Sequence, residues 1–144
     1  MRNRSPEVWT FWVHASSAVR FDADIRKLAC DAGIPGCDNP KSDAFALVYS
    51  WLCDKRNGKW MLVLDNVDNP DFLFRAPDVN EESGSNKRAL RNRIAYLPPC
   101  EHGSMLITSR TREATAKLTD DCNVITVEPM GEATALALLE KKLG

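Results

Sequence analysis

The chain has 144 residues, of which 44% are hydrophobic and 27% are charged, and its formal net charge is -1. This composition is close to that of average globular domains and excludes collagen-like, coiled-coil and wholly disordered chains. A net charge this close to zero creates no electrostatic field that would attract nucleic acid or an anionic membrane. No apolar run is long enough for a membrane span or a signal peptide, so the sequence favours an intracellular, cytoplasmic protein with one domain over residues 1–144.

Short apolar segments predict the strands of a parallel sheet. They are Val8 to His14, Trp60 to Leu64, Met105 to Thr108 and Val124 to Val127. Segments of this length that are almost continuously hydrophobic are typical of strands buried on both faces. Segments with helical periodicity alternate with them, which predicts an α/β layer fold.

The helical segments are marked by capping residues as well as by spacing. A first helix is expected from Ala18, after Ser16 or Ser17 as N-cap, and Gly33 should end it. Ser42 is expected to cap a second helix. Further helices are expected at Arg112 to Leu118, around Ile94, and at Gly131 to Leu143, where Ala133, Leu136, Ala137 and Leu139 form an apolar face.

The segment 75–93 is polar and predicts a mobile excursion from the domain. Its basic residues have the pattern of a solvated surface, so we expect no nucleic-acid contact there. They are Lys87, Arg88, Arg91 and Arg93.

The cysteines occur in odd number, at irregular intervals and without a C-x-x-C pair, which predicts reduced thiols and neither a disulfide framework nor a zinc site. They are Cys30, Cys37, Cys53, Cys100 and Cys122. Cys100 and His102 could share a metal ion. This alternative is weak, because the other histidine, His14, lies in a different segment and would not complete the site.

Polar residues that directly follow two predicted strands are the candidates for chemistry, because ligands of open parallel sheets bind at the carboxyl ends of strands. Asp65 follows Met61 to Leu64 as a magnesium-positioning carboxylate would. Arg110 follows the next strand, where a guanidinium can bind phosphate oxygens. The alternatives are ordinary turn chemistry at Asp65 and a solvated arginine at Arg110.

Four consecutive motifs carry a resemblance to a known family. Phe11 to Ser16, Trp60 to Asp68, Gly103 to Arg110 and Val127 to Ala133 resemble the NB-ARC nucleotide-binding domain of fungal proteins of the NOD-like receptor class, which are STAND ATPases. The resemblance implies a three-layer parallel sheet of P-loop NTPase type. It also implies a signalling switch that binds ADP at rest and ATP with Mg²⁺ when active.

The resemblance also assigns roles to residues. Asp65 matches the Walker B acid and would hold magnesium, and Arg110 matches the sensor arginine near the γ-phosphate. Asn66 stands where many relatives have a second acid, which implies at most a slow ATPase. The expected partners are a nucleotide and either other domains of a larger protein or a second copy of the chain, with no membrane or nucleic acid.

The glycine-rich phosphate loop of that family is missing from the sequence. No G-x-x-x-x-G-K-[ST] occurs, and the segment Gly36 to Ser42 imitates only its end, with Pro40 in place of a backbone donor. The first strand and phosphate loop are therefore expected to be absent, leaving an incomplete sheet. The alternative function is a non-catalytic interaction module that has lost nucleotide binding.

Overall fold

The computed structural model describes residues 8–77 and 91–143. Three parallel strands form a sheet in chain order, β1 (Val8–His14), β2 (Lys59–Asp65) and β3 (Gly103–Ile107). The α-helices are α1 (Ala18–Asp31), α2 (Ala44–Cys53), α3 (Arg112–Ala116) and α4 (Glu132–Leu143). Short 3-10 helices span Lys55–Asn57, Pro70–Phe74, Arg93–Tyr96 and Asp121–Asn123. The predicted α/β class and the first three predicted strands are confirmed.

The ends of α1 follow the predicted capping. The hydroxyl of Ser17 accepts a hydrogen bond from the backbone of Arg20. At the other end, Gly33 has a φ of 69°, and the amides of Gly33 and Ile34 donate to the carbonyls of Cys30 and Ala29, both at 2.9 Å. This is a Schellman termination, which needs a left-handed residue and therefore favours glycine.

The cap of α2 differs from the prediction. The carboxylate of Asp43 accepts from the amide of Ala46 at 3.1 Å, so Asp43 is the N-cap and the assignment to Ser42 is wrong. The hydroxyl of Ser42 instead donates to the carbonyls of Gly36 and Asn39, both at 2.7 Å. Ser42 therefore stabilises the preceding loop.

The core lies on one face of the sheet. The register pairs Phe11 with Leu62 and Val13 with Leu64, and these side chains are buried with residues of α1 and α2 such as Phe21. Because side chains alternate along a strand, the intervening residues point to the opposite face.

The opposite face is largely open, so the predicted burial of β1 and β3 on both faces is wrong. Trp12 is 57% exposed and Leu106 52%, whereas Val63 of the central strand is 4% exposed. Within the described residues, α1 and α2 cover one face, and the second helical layer of a three-layer fold is not assembled over Trp12 and Leu106.

The predicted strand from Val124 to Val127 is wrong. No strand forms there, and Ile125 and Val127 are 87% and 88% exposed. A strand needs a neighbouring strand for its hydrogen bonds, and β3 has no second neighbour within the described parts of the chain. The predicted apolar face of α4 is not buried among the described residues, where Leu136 and Leu139 are about half exposed.

Most of the predicted excursion at 75–93, including Lys87, Arg88 and Leu90, lies outside the described residues, but its two ends are described and joined. The amide of Arg93 donates to the carbonyl of Arg75 at 3.1 Å. The Arg93 side chain is 3% exposed and pairs bidentately with Asp22, through Nε to Oδ1 at 2.7 Å and Nη2 to Oδ2 at 2.8 Å. The expectation of a solvated side chain is therefore wrong for Arg93.

None of the helices in residues 8–77 and 91–143 combines the length and the apolar character that crossing a membrane requires.

Candidate functional site

The three strands end at one edge of the sheet, where a cleft of about 380 Å³ opens. His14 pairs with Asp65 in the register, and Leu64 pairs with Ile107, so the residues after these positions meet at this edge. We call this the rim cleft. It is lined by His14, Ser16, Arg20, Asp65, Asn66, Thr108, Ser109 and Arg110. All three residues predicted to bind the cofactor, Asp65, Asn66 and Arg110, are therefore brought together.

Asp65 is held at the cleft by the neighbouring strand. The hydroxyl of Thr108 donates to Asp65 Oδ1 at 2.6 Å and accepts from the amide of Asn66 at 2.9 Å. The carbonyl of Asp65 accepts from the amide of Ala15 at 2.8 Å. Asp65 is half-buried, and within the described residues no hydrogen bond reaches its Oδ2 atom, which is therefore available as a ligand of the kind that hard cations prefer.

Asn66 turns the chain at the end of β2. Its φ is 62°, a left-handed conformation that asparagine tolerates better than most residues. The turn lets the amide of Val67 donate to the carbonyl of Thr108 at 2.8 Å, which fastens the segment to the end of β3. An amide side chain takes up no proton near neutral pH, so Asn66 offers no general base.

Arg110 is bound to a neighbouring carboxylate in this structure. Its amide donates to Asp68 Oδ1 at 2.9 Å, its Nε donates to Oδ2 at 2.7 Å, and its Nη2 also donates to Oδ2. The hydrogen bonds from the Arg110 side chain and then from its amide lower the pKa of the Asp68 carboxyl, and the same pairing raises the pKa of Arg110. The Arg110 side chain is 81% exposed, and pairs in such surroundings are weak enough to exchange partners.

His14 has a structural partner. Its amide and its Nδ1 both lie within hydrogen-bond distance of Asp24 Oδ2, at 2.8 Å and 2.9 Å. Partial burial of Asp24 disfavours its charged form, but the hydrogen bonds from His14 outweigh this and lower the pKa of the carboxyl. The contact ties the end of β1 to α1, which gives His14 a structural role.

The cleft offers ligands for a cation and positive charge for phosphate oxygens, but among the described residues it does not offer the glycine-rich cradle of a nucleotide site. Asp65 offers an oxygen to a cation, and Arg20, Arg110 and the start of α1 offer positive charge to phosphate oxygens. The described residues contain no glycine-rich cradle at this rim. The loop Gly36 to Ser42 lies beyond the opposite end of α1, about 20 Å from the rim for a helix of this length.

Two of the residues that shape the site were not singled out from the sequence. Thr108 is the last residue of a predicted strand, and its position beside Asp65 depends on the register of β2 and β3. Asp68 belongs to the Asp-Asn-x-Asp turn, where the sequence does not distinguish a capping carboxylate from a partner for Arg110. Only the fold brings Asp68 and Arg110, 42 residues apart, into contact.

The chain is similar to part of a larger protein. Over 143 residues it is 32% identical to a nucleotide-binding leucine-rich repeat (NLR)-like protein of Hyaloscypha variabilis. The match covers 99% of this chain and 14% of that protein, so the chain spans about one seventh of the relative's length. No protein-family profile matches the chain. No solved structure matches it either.

Proposed function

We propose that the chain is part of a nucleotide-binding switch domain of the NB-ARC type, with the P-loop NTPase fold of STAND proteins, in a receptor-like protein. The observation that carries the proposal is the position of Asp65 and Arg110 beside one cleft, at the carboxyl ends of adjacent parallel strands. The similarity of nearly the whole chain to part of an NLR-like protein supports it.

In this proposal Asp65 holds the magnesium ion of a bound nucleotide. Magnesium, when bound, neutralises charge on the phosphate oxygens. The hydrogen bond from Thr108 to Oδ1 fixes the orientation of the carboxylate, so Oδ2 is available to the ion or to one of its water ligands. Asn66 in place of a second acid leaves the attacking water without a general base, so hydrolysis is slow and the bound nucleotide persists.

Arg110 distinguishes ATP from ADP in this proposal. With no γ-phosphate in the cleft, its guanidinium stays on Asp68. A γ-phosphate offers oxygens of greater charge at the same rim and draws the guanidinium away from Asp68. The switch is then an exchange of one anionic partner of Arg110 for another.

The proposal is tested by calorimetric titration of a longer chain. In this chain, an upstream strand and a glycine-rich lysine loop are added before Val8. We expect this chain to bind ADP and ATP at micromolar concentration. Arg110→Ala should weaken ATP binding about tenfold or more, the value of one charge-assisted hydrogen bond, and leave ADP binding unchanged. Asp65→Asn should remove the magnesium dependence. Arg112→Ala and Asp120→Asn are matched controls at exposed positions; equal losses in the controls would contradict the proposal.

A second candidate is a non-catalytic interaction module. The observation that favours it is the exposed apolar surface away from the cleft, on β3 and on the segment after α3, where Leu106, Ile125 and Val127 are all more than half exposed. Large exposed apolar surfaces are typical of interaction sites. In this case ADP would fail to bind the longer chain, and a partner would bind the exposed surface.

A further inference from the structure

A group of potential metal ligands lies at the opposite end of α1 from the rim cleft. The sulfurs of Cys30 and Cys37 and a carboxylate oxygen of Asp38 all lie within 4.8 Å of one another. Cys30 belongs to the last turn of α1, and the other two residues belong to the loop that follows. We call these three residues the Cys30 cluster.

The local backbone explains why residues seven positions apart meet. The Schellman termination at Gly33 reverses the chain after α1. The amide of Cys37 then donates to the carbonyl of Ile34 at 3.2 Å, and Gly36 has a φ of 88° that turns the chain again. The loop is thus folded back against the helix end by its own hydrogen bonds.

Side chains of the loop and of α1 hold this arrangement in place. The hydroxyl of Ser42 donates to the carbonyl of Gly36, and the guanidinium of Arg26 donates to the carbonyls of Asn39 and Ser42 at 3.3 Å and 3.2 Å. Cys37 is buried as a member of the hydrophobic core, whereas Cys30 and Asp38 are exposed. The cluster therefore has one fixed ligand and two that can adjust from the solvent side.

We propose that the Cys30 cluster binds a thiophilic divalent cation of the zinc class, with two thiolates, one carboxylate and a water molecule as ligands. Zinc–sulfur bonds of about 2.3 Å in a tetrahedron place two sulfurs about 3.8 Å apart. Atoms already within 4.8 Å reach this spacing through side-chain rotation of Cys30 and Asp38. A hard cation such as magnesium binds oxygen ligands in preference to sulfur, so the Cys30 cluster differs in its chemistry from the rim cleft.

The electrostatics of the helix end also favour a cation. The carbonyl end of α1 carries the negative end of the helix dipole, and two thiolates with a carboxylate would bring three further negative charges. Both thiols must release their protons to solvent when the cation binds.

Titration of the complete 144-residue chain with Co²⁺, followed by displacement with Zn²⁺, tests the site under reducing conditions. We expect one Co²⁺ per chain with the strong visible absorption of tetrahedral thiolate coordination, bleached by Zn²⁺ and unaffected by excess Mg²⁺. Cys30→Ser changes an exposed residue and should abolish the signal without unfolding the chain. Asp38→Asn should weaken binding about tenfold.

Cys53→Ser and Cys122→Ser are matched controls, because both residues are exposed cysteines elsewhere in the chain. Both variants should bind Co²⁺ as the unchanged chain does. Absence of one-to-one binding, or equal loss in Cys53→Ser and Cys30→Ser, would overturn the proposal. A reduced chain that binds no metal but forms a Cys30 to Cys37 disulfide on oxidation would also overturn it, and would identify a redox pair instead.

Discussion

At the rim of the sheet, the partners of each charged side chain decide what that side chain can do. Within the described residues the Asp65 carboxylate accepts a hydrogen bond from Thr108 at Oδ1 alone, whereas the Asp68 carboxylate is paired with Arg110. Two acids of the same short turn therefore have different chemistry. The sequence places both acids at the end of a strand, but only the register of β2 and β3 assigns them their partners.

The pairing of Asp68 with Arg110 predicts a measurable acid titration. The Arg110 hydrogen bonds lower the carboxyl pKa below its usual 3.8, so the stabilisation by this pair is present above pH 3.8 and lost as the pH falls through the lowered value. Carbon-detected NMR of the Asp68 carboxyl should show this, and Arg110→Ala should return the pKa towards 3.8. Arg112→Ala is the control. An Asp68 pKa that is the same in both variants would contradict the pairing.

Replacing Arg93 should destabilise the fold more than replacing an exposed arginine would. It is almost fully buried, holds Asp22 with two hydrogen bonds and donates to the carbonyl of Ala76 at 2.9 Å. Removing one partner of such a pair costs about 3 kcal/mol, so Arg93→Ala should lower the free energy of unfolding by that amount in urea titrations. Arg91→Ala is the control, because the Arg91 guanidinium lies 5.3 Å from the Tyr49 ring centre. It should lower the free energy of unfolding by about 1 kcal/mol. Equal losses would contradict a structural role for Arg93.

At the scale of elements, local signals in the sequence predicted most of the fold. Apolar runs located β1, β2 and β3, and Ser17 and Gly33 bounded α1, because strand burial and helix capping depend on neighbouring residues. Burial of a basic residue is not a local property, so Arg93 was misassigned. The strand at Val124 to Val127 failed for a related reason, since a strand depends on a neighbour that no local pattern reveals.

The Cys30 cluster shows the same limit for sites. The spacing of its cysteines matches no common zinc motif, so the sequence predicts reduced thiols without a zinc site. Two turns at glycines with positive φ close the loop and bring Cys37 and Asp38 back to Cys30. Spacing along the chain therefore did not reveal a cluster that depends on how one loop folds.

The contact between β2 and β3 depends on one glycine. A Cβ atom at Gly103 would overlap the indole ring of Trp60, its partner in the register, whose Nε1 donates to the carbonyl of Leu52 at 3.0 Å. Gly103→Ala should therefore lower the free energy of unfolding by about 1–3 kcal/mol, the usual cost of overpacking. Gly131→Ala meets no atom within 4 Å and should change stability by less than about 1 kcal/mol. Comparison by urea unfolding checks this, and a neutral Gly103→Ala would contradict the packing at Trp60.

At the scale of the whole molecule, β3 is an edge strand of the sheet that the described residues form. β3 lacks a second neighbour among them, and Met105 and Leu106 on that strand are 40% and 52% exposed. Free strand edges with apolar side chains pair readily with other chains. The same surface would accept a further strand of a larger domain. Both proposed functions, the nucleotide-binding switch and the interaction module, therefore predict that this chain self-associates through β3.

We expect this chain to self-associate as its concentration rises. Leu106→Lys should shift the chain towards monomer in sedimentation velocity experiments, because a charge on an edge strand opposes pairing. Val19→Lys is the matched control, since Val19 is an apolar residue of α1 that is 80% exposed. A chain that remains monomeric at every concentration, or equal effects of both variants, would contradict a pairing surface at β3.

Amide NMR of this chain during titration with ADP and magnesium tests most directly whether the rim cleft is the nucleotide site. The proposed function assigns two or three of the phosphate hydrogen bonds to a glycine-rich loop that this sequence does not contain, and losing that number weakens binding by about a thousandfold or more, so we expect no saturation at micromolar ADP. At millimolar ADP the amides of Ser16, Asn66, Ser109 and Arg110 should shift. Saturation at micromolar ADP, or shifts centred on Lys41 and Ser42 with none at the rim, would contradict the assignment of the nucleotide to the rim cleft.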